Sequence, residues 1–126
     1  MHHSRLAGFI IDCDTEDVEE AAQFWSAALG YPLKRKEEES SPKYRQLMTG
    51  PEDLHIEVQQ VSHESRVHLD IESDDIEAEV KRLERLGAKR VGSVQTWCVM
   101  EAPTGQRFCV VRPQRPGIAA KENEKP

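Results

Sequence analysis

The chain carries its own pattern twice. Residues 9–21, FIIDCDTEDVEEA, and residues 67–79, VHLDIESDDIEAE, share one order of apolar, acidic and small positions. Each leads into a helical stretch that closes on Leu-Gly, at Leu29-Gly30 and Leu86-Gly87. A second pair, LMTGPEDLHIEV at 47–58 and VMEAPTGQRFCV at 99–110, aligns without a gap. An internal repeat of about half a domain predicts two like units about a pseudo-twofold axis, with equivalent positions converging on one shared site. At 126 residues there is room for one domain and one core.

Within each copy the periodicities predict the same elements. Leu6–Cys13 reads as a strand, and Asp14 and Thr15 supply capping groups. Val18, Ala21, Ala22, Trp25, Ala28 and Leu29 recur at helical spacing up to Gly30. Tyr31–Lys36, Tyr44–Thr49 and Leu54–Val61 then read as strands, separated by Ser40-Ser41-Pro42 and by Gly50-Pro51-Glu52-Asp53. The second copy runs Arg66–Glu72 as strand, Asp74–Leu86 as helix, then Lys89–Val94, Thr96–Glu101 and Arg107–Arg112 as strands. The expected fold is α+β: two tandem β-α-β-β-β units, about 6–61 and 65–112, forming a curved mixed sheet with a central cleft. The domain is expected to fill residues 1–113, with 114–126, rich in Pro and charge, as a frayed, flexible tail.

Charge limits the partners. A net charge of −6 without a basic cluster argues against nucleic acid, because Lys34-Arg35-Lys36 is cancelled at once by Glu37-Glu38-Glu39. No stretch approaches the ~18 apolar residues of a membrane span, and the N-terminus lacks a signal-peptide core, so a cytoplasmic protein is expected. Cys13, Cys98 and Cys109 are odd in number and lack CxxC spacing, which predicts reduced thiols.

The paired units, Phe24-Trp25 followed by Ala28-Leu29-Gly30-Tyr31, the Val67-His68-Leu69-Asp70 strand, the Asp74-Asp75-Ile76 helix start and the Ala102-Pro103-Thr104-Gly105-Gln106-Arg107-Phe108-Cys109-Val110-Val111 ending resemble the vicinal oxygen chelate superfamily. The resemblance covers roughly residues 6–112. It is closest to the glyoxalase-like domains related to glyoxalase I and the bleomycin-resistance proteins, with extradiol dioxygenases as further relatives. In metal-using members, four ligands come from the first and last strands of the two units, around a divalent cation open to substrate oxygens. Carried over, those slots fall on Glu57, His68 and Cys109. The fourth falls on Ile10 by the internal repeat, or on Gly8 if Asp12-Cys13 is matched to the family.

The resemblance thus implies Glu57, His68 and Cys109 as an incomplete metal set, with Glu57 and His68 as the catalytic candidates. A mixed set of this kind suits zinc, nickel or iron rather than magnesium or manganese. With one slot aliphatic or glycine, a metal-free domain is favoured over a metal-bound one, and Cys109 reads first as a small core residue. Glu57 shares its strand face with His55 and Gln59, where a desolvated carboxylate would act as a general base. Trp25 reads as core. Trp97 stands over the cleft or at a dimer contact, and either Tyr44 and Gln46 or Arg45 and Leu47 face inward. His2, His3 and His63 have no partner at ligand spacing and read as surface residues. The implied function is binding of a small organic molecule in the cleft, with lyase or isomerase chemistry open. The alternative is metal-free sequestration of a drug or metabolite, as in the bleomycin-resistance relatives. A homodimer is expected.

Overall fold

The computed structural model describes residues 1–126. It contains β1 (His2–Asp14), α1 (Val18–Leu29), β2 (Tyr44–Leu47), β3 (His55–Val61), β4 (Arg66–Ser73), α2 (Ile76–Arg85), β5 (Lys89–Val94), β6 (Trp97–Glu101), β7 (Arg107–Val111) and β8 (Glu124–Lys125). Two helices and eight strands in a mixed sheet make this an α+β protein, and no helix is long and apolar enough to cross a membrane. The chain divides into two compact units, Phe9–Val67 and Met1–Gly8 with His68–Pro126. They hold the first and second repeats respectively, and β1 is divided between them.

In the first-repeat unit the strand order is β2-β3-β1. Asp17, in extended conformation, caps α1 by accepting from the backbone N–H groups of Glu19 and Glu20, which uses two of the donors a helix start leaves unpaired. At the other end Gly30 takes φ 79°, where a side chain would be strained, and its N–H closes on the Ser26 carbonyl at 2.9 Å. Ile11, Val18 and Val58 form the core beneath α1, and Cys13, Ala21, Trp25 and Ile56 pack around it. The strand expected over 31–36 is reduced to a single bridge, Leu33 to Leu47, followed by a 3-10 turn at Lys36–Glu38. Pro32 lacks an N–H and cannot supply a ladder bond.

The second-repeat unit orders β1-β4-β7-β6-β5, with β8 on β1. Strands β4 and β7 are parallel, with Leu69 opposite Phe108 and Asp70 opposite Cys109. Strands β7, β6 and β5 are antiparallel in turn, with a register shift between Arg90 and Gly92. Asp75 caps α2 through the Ala78 N–H, in the same relation as Asp17 to α1. Val80, Cys98, Met100 and Val110 form the core under α2, joined by Ile76, Leu83, Ala88 and Phe108. Equivalent positions of the repeat carry equivalent burial: Ala22 and Val80 are both 0% exposed, as are Val58 and Val110.

The segment after Pro113 departs from the expected fraying. Residues 121–123 form a 3-10 turn, and β8 pairs with β1, His2 opposite Lys125 and His3 opposite Glu124. What holds it is a buried carboxylate. Glu72, fully buried, accepts from Arg5 Nε at 2.7 Å, from Arg115 Nε at 3.1 Å and from the backbone N–H groups of Gln114 and Arg115. Arg5 in turn donates to the Arg115 and Pro116 carbonyls. Charge and Pro content describe solvent affinity, and they miss a tail whose arginine has a buried partner waiting 43 residues back.

Candidate functional site

A strand that packs a helix on one face turns its alternate residues to the other. In the second-repeat unit Phe108 and Val110 lie toward α2. Cys109 therefore faces away, and so does Asp70 opposite it, along with His68 two residues earlier on β4. One nitrogen, one oxygen and one sulfur donor of His68, Asp70 and Cys109 lie within 4.8 Å of one another. His68 Nε2 and Asp70 Oδ1 are 3.5 Å apart, and both side chains are 13% exposed. Asp70 Oδ1 is buried and accepts no hydrogen bond, an expensive state for a carboxylate oxygen. By the same alternation Trp97 and Val99 of β6 share this face, Val99 directly opposite Cys109.

Two of the three residues assigned by resemblance, His68 and Cys109, thus stand together. Cys109 is half-buried beside His68 and Asp70, whereas Cys98 is the thiol within the apolar core under α2. Asp70 was not singled out from sequence, although the alternation of Val67-His68-Leu69-Asp70 carries the signal: residues two apart on a strand share a face.

Glu57 belongs to the first-repeat unit. Its neighbours Ile56 and Val58 face α1, so Glu57 faces away, with His55 Nε2 3.7 Å from its carboxylate. The β2–β3 register places Gln46 opposite Glu57 and Tyr44 opposite Gln59, so Tyr44 and Gln46 share the strand face of Glu57. Arg45 and Leu47 turn instead toward α1. Arg45 is buried there, with its guanidinium on the Glu19 carboxylate and on the Lys34 carbonyl at 3.1 Å. Ile10, the repeat equivalent of His68, is buried and aliphatic, and Asp12, the equivalent of Asp70, is 2% exposed with Arg66 Nε 3.8 Å from its carboxylate.

The two N-terminal histidines are not surface residues without partners. His2 is buried with its Nε2 2.8 Å from Glu79, and His3 contacts Asp74 through both ring Nδ1 and backbone N–H. Glu79 is itself fully buried on α2 and accepts two bonds from Arg82 at 2.8 Å. Burial alone would raise its carboxyl pKa, but hydrogen bonds from Arg82, His2 and Ser4 outweigh that and hold it below its ordinary 4.5. Burial acts on Asp74 in the same direction and is likewise outweighed, by the His3 contacts, so that its carboxyl lies below 3.8. The Cys13 and Cys98 thiols are pushed up, by burial first and for Cys13 by the nearby Asp12 charge second, which keeps both protonated at neutral pH.

Comparison with known proteins agrees with this architecture. The family model described as Glyoxalase-like domain matches residues 9–111, and the chain belongs to that family. Among solved structures it is similar to methylmalonyl-CoA epimerase in complex with methylmalonyl-CoA and NH4+, with 13% identity and a TM-score of 0.56, covering 91% of this chain and 99% of that one. A variant of the Streptomyces coelicolor methylmalonyl-CoA epimerase in complex with 2-nitronate-propionyl-CoA gives 14% identity and a TM-score of 0.54 at the same coverage. At these identities the likeness establishes the fold. No curated protein matches the sequence.

Proposed function

We propose that this glyoxalase-like domain binds a small organic molecule bearing carbonyl or carboxylate oxygens, on the strand face that presents His68, Asp70 and Cys109. The observation that carries the reading is the convergence of three different donor types on one face turned away from the helix. A sheet face needed only for stability would bury apolar groups there, as the α2 side does. The structures similar in fold are complexes with acyl-CoA compounds, so such thioesters, with short-chain keto and dicarboxylic acids, are the first compounds to try. The expected homodimer and cytoplasmic location remain part of this proposal.

The test is a thermal-shift screen of the chelator-treated protein against that panel. A ligand at 100 times its Kd stabilises a folded protein by about 2.7 kcal/mol, which moves a domain of this size by several degrees. The expected result is a shift for one chemical class that is lost in His68→Ala. A panel without any shift, or a shift that His68→Ala retains, overturns the assignment.

Lyase or isomerase chemistry is the second reading. What favours it is the Glu57 carboxylate, turned away from α1 with His55 beside it, a proton acceptor of the type needed next to a carbonyl. Glu57→Gln separates the two readings: turnover lost with ligand affinity kept supports catalysis.

A further inference from the structure

We infer that residues 113–118 form a strap across the strand face of His68, Asp70 and Cys109 and act as its end wall, so that this face takes short-chain ligands and turns away those that run on toward Glu72. The inference rests on the small-molecule reading and adds to it a limit on ligand length. Alternation along β4 puts Glu72 on the face of His68 and Asp70, and along β7 it puts Val111 on the face of Cys109, with Glu72 and Val111 opposite each other. Both are buried although α2 lies on the other side, so a different segment must cover them. The Glu72 carboxylate shows which, because it accepts from the backbone N–H groups of Gln114 and Arg115 and from Arg115 Nε. Leaving β7, the chain thus crosses β4 at Glu72 and reaches β1. There Arg115 donates to the Leu6 carbonyl, and Arg5 donates to the carbonyls of Arg115 and Pro116.

Three features make this segment a fixed wall. Pro113 and Pro116 restrict the backbone on either side of Arg115. Gly117, at φ 94°, turns the chain toward β8 with the Arg5 guanidinium packed against it, so close that a Cβ there would stand 3.4 Å from Arg5 Nη1. Beyond the turn the far end is tied as well: β8 pairs with β1, Lys125 Nζ donates to the Ser4 carbonyl at 3.0 Å, and buried Asn123 donates to the Gly117 and Ile118 carbonyls at 3.2 Å. The wall stands two residues along each strand from Asp70 and Cys109, about 7 Å away at ~3.3 Å per residue. A molecule anchored on the three donors has room in that direction for a chain of a few carbons. A longer chain meets the strap.

The test uses Cys109 to report what can reach this face, since thiol alkylation depends on access. The full chain is treated with iodoacetamide and with a bulky dye-linked maleimide, and each cysteine is followed by mass spectrometry, with rates taken relative to free glutathione. Wild-type Cys109 should react with the small reagent and resist the large one. The double variant Arg5→Ser, Glu72→Thr removes both halves of the tie, so that no buried charge is left without its partner. It should raise the maleimide rate at Cys109 about tenfold and leave Cys13 and Cys98 as they were. An unchanged rate at Cys109 overturns the strap. A rise at all three thiols overturns it too, because the tie would then hold the fold together rather than wall off one face. In thermal-shift measurements, 2-keto acids of increasing chain length should lose their shift in the wild type and regain it in the double variant, and a shift independent of length overturns the limit. A series without any shift removes the small-molecule reading alone, and the strap then stands or falls on the alkylation of Cys109.

Discussion

The two repeats share their scaffold and differ in what they bury. Asp17 and Asp75 cap the helices alike, and Val58 and Val110 fill matching core positions. Yet where the first repeat has Ala21 and exposed Asp14, the second has Glu79 and Glu72, both fully buried. Those two carboxylates are tolerated because the ends of the chain bring partners to them, His2 to Glu79 and Arg5 with Arg115 to Glu72. The repeats differ at their donor positions as well: His68 and Cys109 stand where the first repeat has Ile10 and Glu57. Apolar positions can stay apolar through the repeat because each helix covers the same face of its sheet. A buried charge depends on a particular partner, which the N- and C-terminal segments supply to Glu79 and Glu72 and which Glu19 supplies to Arg45 in the first repeat.

The comparison breaks most sharply at Glu72. Glu72→Ala leaves two arginines without their buried counter-charge and should cost about 3–5 kcal/mol, the range for removing one partner of a buried pair. Asp14→Ala, at the exposed equivalent, should stay within about 0.5 kcal/mol. Urea unfolding of the two variants checks the contrast, and equal losses would mean that the Glu72 network carries no weight.

Acid should next distinguish the repeats through Glu79 and Asp74. Both carboxyls are held below their ordinary values in the folded chain, so their stabilisation is complete above 4.5 and 3.8 and is lost as pH falls through the lower folded values. Melting temperature followed from pH 6 downward should therefore drop less steeply below about pH 4.5 in a Glu79→Gln, Asp74→Asn double variant than in the wild type. Parallel curves would refute the linkage.

The smallest expected effect tests where the repeats agree. Asp17→Ala and Asp75→Ala each remove one helix cap and should cost about 1 kcal/mol apiece. Asp17 serves two backbone donors and Asp75 one, so the first should be the larger loss by denaturant midpoint.

Much of this was legible in the sequence, because the features that repeat are local. Periodicity placed both helices and the six strands β2 to β7 within a residue or two, but it started β1 at Leu6 rather than His2 and left β8 in a frayed tail. Resemblance led to His68 and Cys109. Three things were not legible. The strand expected over 31–36 fails at the ladder beside Pro32, a matter of pairing rather than of propensity. Asp70 is set beside Cys109 by a register that only the folded β4–β7 pair defines. His2 and Arg115 find their partners 77 and 43 residues away, and no spacing rule reaches that far.

The pairing of β8 with β1 has a use in engineering. His2 opposite Lys125 in an antiparallel ladder puts the two ends of the described chain on adjacent strands, about 5 Å apart in the hydrogen-bonding direction. A short turn would join Lys125 to His2 with the direction of both strands already correct, and new ends could then be opened in the exposed Pro51–Asp53 turn between β2 and β3. A circularly permuted version of residues 2–125 should keep every buried charge at its present address.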